Sequence, residues 1–195
     1  MSLGLPERVV GERVAIRAFA HGDIAELTDL RIRNREFLGP WEPRRSQGFF
    51  TEHGQRAEIE RDRHEWAADR TYAFAIVELP SGAMRGRVAL ANVVRGAWEN
   101  ATLGYFVDRE TGRRGYASEA VGLALRFAFG ACRLHRVQAA VMPHNAGSIR
   151  VLEKNGFRHE GFSPRYLRLD GAWRDHELFA ITVEDAVGLQ EAPGT

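Results

Sequence analysis

Between Arg13 and Ala18 the apolar residues Val14 and Ile16 alternate with charged or small neighbours, the two-residue period of a half-buried strand. Asp23 then stands where it can cap a helix carrying Ile24, Leu27 and Leu30 on one face. The stretch NREFLGPWEPRR (34–45) predicts an extended loop, because prolines flank Trp41 and Glu42, and a helix is expected from about Glu52 to Ala68. Two β-rich runs, Thr71 to Leu79 and Arg85 to Val94, are joined by Pro80, Ser81 and Gly82 and predict a hairpin. A turn near Gly96 leads to a further strand over Ala101 to Val107.

The period then changes. From Tyr116 to Ala131, Ala117, Ala120, Val121, Ala124 and Ala128 fall on one helical face, with Ser118, Glu119, Gly122 and Arg126 opposite. Arg136 to Met142 reads as a strand ended by Pro143, and Asn145 to Asn155 as a helix stopped by Gly156. Asp170 and Gly171 supply the pair of positive φ angles a tight turn prefers, between strands near Tyr166–Leu169 and Trp173–Ile181. The order predicts one α/β domain with a mixed, mostly antiparallel sheet. Residues 101 to 142 form a β-α-β crossover, so its two strands should be parallel with the helix packed across one face.

Composition narrows the chemistry. A chain of 195 residues, 44% of them hydrophobic, can fill one core without disulfides or metal, and no repeat or long linker divides it. The expected domain spans 1–195, with a core of about 13–183 and a frayed tail at 190–195. Arginine plus lysine number 27 against 26 acidic residues, a net charge of +1 that recruits no polyanion, so nucleic acid is not an expected partner. Lys154 is the only lysine, which argues against a Schiff base and excludes a Walker loop. Cys132 is the only cysteine; it sits among apolar neighbours and reads as an inert thiol. The seven histidines form no H-E-x-x-H motif, so no metal is expected, and His135 and His144 read first as packing or edge residues. With no signal-like N-terminus and no span of about 20 apolar residues, a cytoplasmic protein away from membranes is expected.

The sharpest local feature is GRRGYASEA (112–120), between a strand and a helix. Gly115 would let a ligand approach the backbone, and the free N–H groups of the first helical turn, with Arg113 and Arg114, suit a pyrophosphate. An ordinary basic turn before an amphipathic helix is the competing account. The G-x-G-x-x-G spacing of a dinucleotide fold is absent. In MPHNAGSIRVLEKNGF (142–157), Asn145 and Ser148 share the exposed first turn of a helix, although capping alone could account for Asn145.

Together, GRRGYASEA and NAGSIRVLEKNGF resemble the acyl-CoA signature of the GNAT superfamily of N-acetyltransferases. The segments NREFLGPWEP, NVVRGAWENATLGYFV, HRVQAAVMPHN and EGFSPRYLRLDGAWRDHEL further resemble ribosomal-protein-alanine N-acetyltransferases of the RimJ and RimL type, over about residues 13 to 183. The resemblance implies a sheet whose central parallel pair is splayed, with flanking helices. It implies that Tyr105, Phe106 and Val107 bind the acetyl carbonyl and pantetheine arm of acetyl-CoA. Arg113, Arg114, Gly115, Tyr116, Ala117 and Ser118 match the pyrophosphate loop. Asn145 matches a residue that meets the pantetheine arm, and Ser148 a position near the thioester sulfur. The chain departs from the pattern at Gly112, where glutamine or arginine is usual, at Arg113, where glycine is common, and at Leu152, where many members place a tyrosine as general acid.

An α-amino group has a pKa near 7.7–8.0 and a lysine near 10.4, so at pH 7 roughly a tenth of the former is already a free nucleophile. Direct transfer to a protein N-terminus therefore needs little activation, and backbone N–H groups near Phe106 and Val107 would stabilise the oxyanion. Ser148 is the expected donor to the departing sulfur, and Glu99 and Glu42 are the carboxylate candidates for the base. Trp41 and Trp173 are either core residues or walls of the acceptor cleft. The expected acceptor is the N-terminal alanine of a ribosomal protein, the alternatives being a small amine such as an antibiotic or polyamine, or a non-catalytic acyl-CoA-binding module of ribosome assembly. A monomer or homodimer fits either.

Overall fold

The computed structural model describes residues 5–186, so the expected tail at 190–195 lies outside the described residues. Eight strands form one sheet: β1 (Arg8–Val10), β2 (Val14–Ala18), β3 (Tyr72–Glu78), β4 (Met84–Val94), β5 (Asn100–Val107), β6 (Arg136–Val141), β7 (Arg158–Leu169) and β8 (Ala172–Thr182). Their order is β1-β2-β3-β4-β5-β6-β8-β7, and every neighbouring pair is antiparallel except β5 with β6. Among the described residues the sheet is flanked by the α-helices α1 (Ile24–Arg33), α2 (Arg35–Leu38), α3 (Glu52–Ala67), α4 (Tyr116–Arg126) and α5 (Ala146–Lys154).

Side chains alternate across β3. Tyr72, Phe74 and Ile76 join the larger core beneath α4, while Ala73 and Ala75 join a smaller one beneath α1 and α3. A strand buried on both faces reads as a continuous apolar run, as YAFAIV does. On α4, Ala120, Val121, Ala124 and Ala128 are fully buried; the helix runs on through a π-helical turn, Phe127–Ala131, closed by the Cys132 N–H on the Phe127 carbonyl. Small residues on that face let the helix lie close against the sheet.

Four local expectations are corrected. The segment after α1 is not an extended loop: α2 and a 3₁₀ turn over Gly39–Trp41 occupy it, and only Glu42, held extended by Pro43, follows the rule for residues before proline. Pro40 sits in the first turn of that 3₁₀ segment, where its missing N–H is harmless. Asp23 does not cap α1; its carboxylate turns back to the Ala20 N–H (2.8 Å) and forms two bonds to Arg17 (2.6 and 2.7 Å). A strand, β1, precedes the first one expected. Finally, β7 is far longer than Tyr166–Leu169, because as an edge strand it tolerates Pro164, with the register shifting between Ser163 and Leu167.

The decisive feature is the crossover. β5 and β6 pair in parallel at only three positions, Asn100 with Arg136, Ala101 with Val137, and Thr102 with Gln138. β4 continues to pair with β5 as far as Val107, and β8 with β6 as far as Val141, so beyond Thr102 a gap opens in the middle of the sheet.

Candidate active site

Half of the peptide groups of residues 103–107 point away from β4 toward this gap, where no strand answers them. The cleft there has a volume of about 280 Å³ and passes between the two faces of the sheet. On the α5 side stand Tyr105, Asn145 and Ser148. Asn145 caps α5 through Oδ1, which accepts the Ser148 N–H at 3.1 Å, leaving its amide N–H groups for the cleft. The Tyr105 hydroxyl lies 2.8 Å from Ser148 Oγ and 3.2 Å from the Ser148 carbonyl. Burial pushes the Tyr105 pKa up to about 12, against the Ser148 hydrogen bond, so the phenol keeps its proton at neutral pH.

On the α1 side the cleft is lined by Arg31, Trp41, Glu42, Phe106 and His176. Arg31 lies over the rings of Phe49 and Phe106, 4.9 and 4.5 Å from their centroids, and donates to Glu42 Oε1 at 2.8 Å. Trp41 packs against His144 with centroids 5.2 Å apart.

A second hollow, of about 840 Å³, lies at the N-terminus of α4. Arg13, Arg113, Arg114, Arg126 and Lys154 line it, against Glu12 and Glu119. Gly115 caps the helix at φ +79°, and Arg113 is also left-handed at φ +66°, the region that glycine adopts most readily. The loop is held from outside: Glu119 Oε1 accepts the N–H groups of Glu12 (2.6 Å), Arg13 (2.8 Å) and Val14 (3.2 Å), and Oε2 the Nε–H of Arg13 (2.9 Å). Burial alone would raise the Glu119 pKa, but these donors hold it below the ordinary carboxylate value. Arg13 in turn donates to the Arg114 carbonyl at 3.0 Å. The cations and the open helix end fit a diphosphate, and the gap in the sheet fits a narrow arm leading away from it.

The structure thus brings Tyr105, Phe106, Asn145, Ser148 and Glu42 to one cleft, and Arg113, Arg114, Gly115 and Ser118 to the neighbouring hollow. Val107 and Ala117 line neither, and the Tyr116 ring is buried with its hydroxyl donated to Glu78, so only its backbone faces the loop. Glu99 is corrected. It is exposed at the closed end of the strand pair, where its carbonyl accepts the His135 and Arg136 N–H groups (2.9 and 3.1 Å), roughly 20 Å along β5 from Phe106. Trp173 is 62% exposed and lies outside the cleft that Trp41 walls. Leu152 is fully buried in the core. Cys132 is buried too, its thiol pushed up to about 12 by that burial. Sequence reasoning missed Glu119, Arg13, Lys154 and His176. The alternation of β8 could have flagged the last, since His176 shares a strand face with Leu178 and Ala180.

A sheet parted between two parallel strands, with a helix N-terminus flanked by arginines beside the gap, is the architecture of an acyl-coenzyme A-dependent transferase. The model of the acetyltransferase (GNAT) domain matches residues 13–158, and the chain belongs to that family. It is similar to the Bacillus subtilis protein named "Probable N-acetyltransferase YjcK", 35% identical over 90% of this chain and 97% of that one. It is also similar to the Escherichia coli [ribosomal protein uS5]-alanine N-acetyltransferase, 32% identical over 91% of this chain and 92% of that one. The solved structure of Mycobacterium smegmatis RimJ in complex with CoA-disulfide superposes with a TM-score of 0.85 at 34% identity, covering 92% of this chain and 88% of that one. The chain is an acetyl-CoA-dependent N-acetyltransferase. No helix among the described residues is long and apolar enough to cross a membrane.

Proposed function

We propose that the chain transfers the acetyl group of acetyl-CoA directly to the α-amino group of a protein N-terminus, an N-terminal alanine of a ribosomal protein. The carrying observation is the cleft at the parted ends of β5 and β6, lined by Tyr105, Asn145 and Ser148 on the α5 side and by Arg31, Glu42 and Phe106 on the α1 side, where a thioester and an amine would meet. Similarity to the uS5-alanine enzyme supports the choice of acceptor.

In this reading the loop from Arg113 to Ser118 and Lys154 hold the diphosphate, and Asn145 positions the arm. Free N–H groups of β5 near Phe106 stabilise the developing oxyanion. Ser148 gives its hydroxyl proton to the leaving sulfur while Tyr105, 2.8 Å away, supplies a proton to Ser148, so the pair performs the acid role that Leu152 cannot. Glu42, with one oxygen held by Arg31, offers the other to the incoming ammonium.

The test is turnover with acetyl-CoA and an Ala-starting peptide, a lysine peptide and a polyamine, followed by release of free thiol. Turnover of the Ala peptide with the acetyl group on its α-amine is expected. Turnover of the polyamine alone contradicts the N-terminal acceptor.

A further inference from the structure

The acceptor side of the cleft contains one buried titratable ring to which the chemistry above gives no task. His176 is 1% exposed, yet it lines the cleft, on the face shared by Phe106, Arg31 and Glu42. Its Nδ1 lies 2.9 Å from the backbone carbonyl of Arg174. A carbonyl oxygen can only accept, so Nδ1 carries the proton and the lone pair of the neutral ring is on Nε2. The Tyr166 ring, 5.7 Å away between centroids, helps fix the imidazole. The bond to a strand carbonyl and the packing around it hold the ring in one orientation.

We propose that His176 is the proton acceptor for the amine substrate. The inference rests on the amine-acetylating reading above and adds the base to it. Glu42 holds the ammonium, and Nε2 of His176 takes one of its protons, forming an imidazolium whose Nδ1–H still bonds Arg174. The freed nitrogen lone pair then forms the C–N bond to the acetyl carbon as the C–S bond breaks. Ser148, replenished by Tyr105, protonates the departing sulfur, and the second proton leaves the nitrogen to restore the Tyr105 phenol. The products are the acetylated amine and the free thiol, and the proton on His176 returns to solvent. The charged groups that share the cleft with the ring are Arg31, Glu42, Arg45 and Arg87, together with the Tyr105 phenol, and the Tyr166 ring packs beside it.

His176→Asn tests this, because the asparagine amide can keep the bond to the Arg174 carbonyl while removing the Nε2 lone pair. With an Ala-starting peptide at pH 7, kcat should fall about 100-fold, the usual contribution of a positioned base. Acetyl-CoA affinity should stay within about twofold. The deficit should shrink as pH rises past about 8, where the α-amine loses its proton unaided. A kcat within about threefold of wild type, or a deficit equal at every pH, overturns the proposal, the second outcome meaning that the ring only packs. If the asparagine variant does not fold, His176→Gln is held to the same criteria. A wild-type enzyme silent toward the peptide overturns the acceptor assignment instead, and the histidine comparison is then made with the amine that the wild type does acetylate.

Discussion

The two halves of one strand pair differ more than any other two regions of the molecule. At its lower half, Asn100 to Thr102 are zipped to Arg136 to Gln138, and Asn100 and Ala101 are at most 1% exposed. At its upper half, from Leu103 and Ala139 onward, the same two strands part and every residue from Leu103 to Phe106 lines a cleft. The closed half supplies the rigidity that keeps the open half from collapsing. Backbone groups that a ladder would have consumed become binding groups.

Placing a leucine in each half should break them in opposite ways. A Cβ on Gly104 meets nothing within 4 Å, so Gly104→Leu should fold as the parent does. It should nevertheless lower kcat/KM for the amine by about 100-fold or more, by filling the acceptor side. Ala101→Leu, at a fully buried position, should instead cost about 1–3 kcal/mol of stability through overpacking. Steady-state kinetics and thermal melting on both variants check the contrast, and equal loss of stability in the two would erase it.

Smaller effects sharpen the comparison. Ser148→Ala should lower kcat by about tenfold or more with little change in the KM for acetyl-CoA, since the hydroxyl acts on the leaving group rather than on the ground state. Of the two carboxylates first considered for the base, Glu42→Gln should raise the KM for the amine, whereas Glu99→Gln at the closed end should leave kcat/KM within about twofold. A large defect in Glu99→Gln measured the same way would contradict the placement of the chemistry.

The smallest effect concerns the flank of the open half. Glu78 accepts from Ser81, Tyr116 and Arg85, which together hold its pKa down to about 2 from an ordinary 4.5. A depressed carboxylate contributes stability that is full above its unfolded pKa and is lost as pH falls toward the folded one. The melting temperature should therefore fall less steeply between about pH 4.5 and pH 2 in Glu78→Gln than in the parent, as acid titrations monitored by circular dichroism would record.

Much of this architecture was legible from residue patterns. The crossover, the meander from β3 to β5 and the Asp170–Gly171 turn, with φ of +45° and +77°, follow from periodicity and turn chemistry. The acetyltransferase signature also pointed to the cleft and the loop. What stayed hidden depends on partners distant in sequence. Glu119 looks like a solvated helix residue until β2, more than 100 residues earlier, is laid beside it. The exclusion of Glu99 depends on which end of β5 opens, a matter of register that composition does not encode. The helical turns of 35–41 were obscured because proline breaks a helix interior but suits its first turn.

The most direct test of the central claim is a crystal structure with a bisubstrate inhibitor, coenzyme A joined through its sulfur and an acetyl bridge to the α-amine of an Ala-starting peptide. The account predicts the diphosphate at the Gly115 turn, the sulfur beside Ser148 between β5 and β6, and the peptide leaving past Glu42 on the α1 side. A sulfur lodged outside the gap, or β5 and β6 paired through residues 103–106, would contradict it.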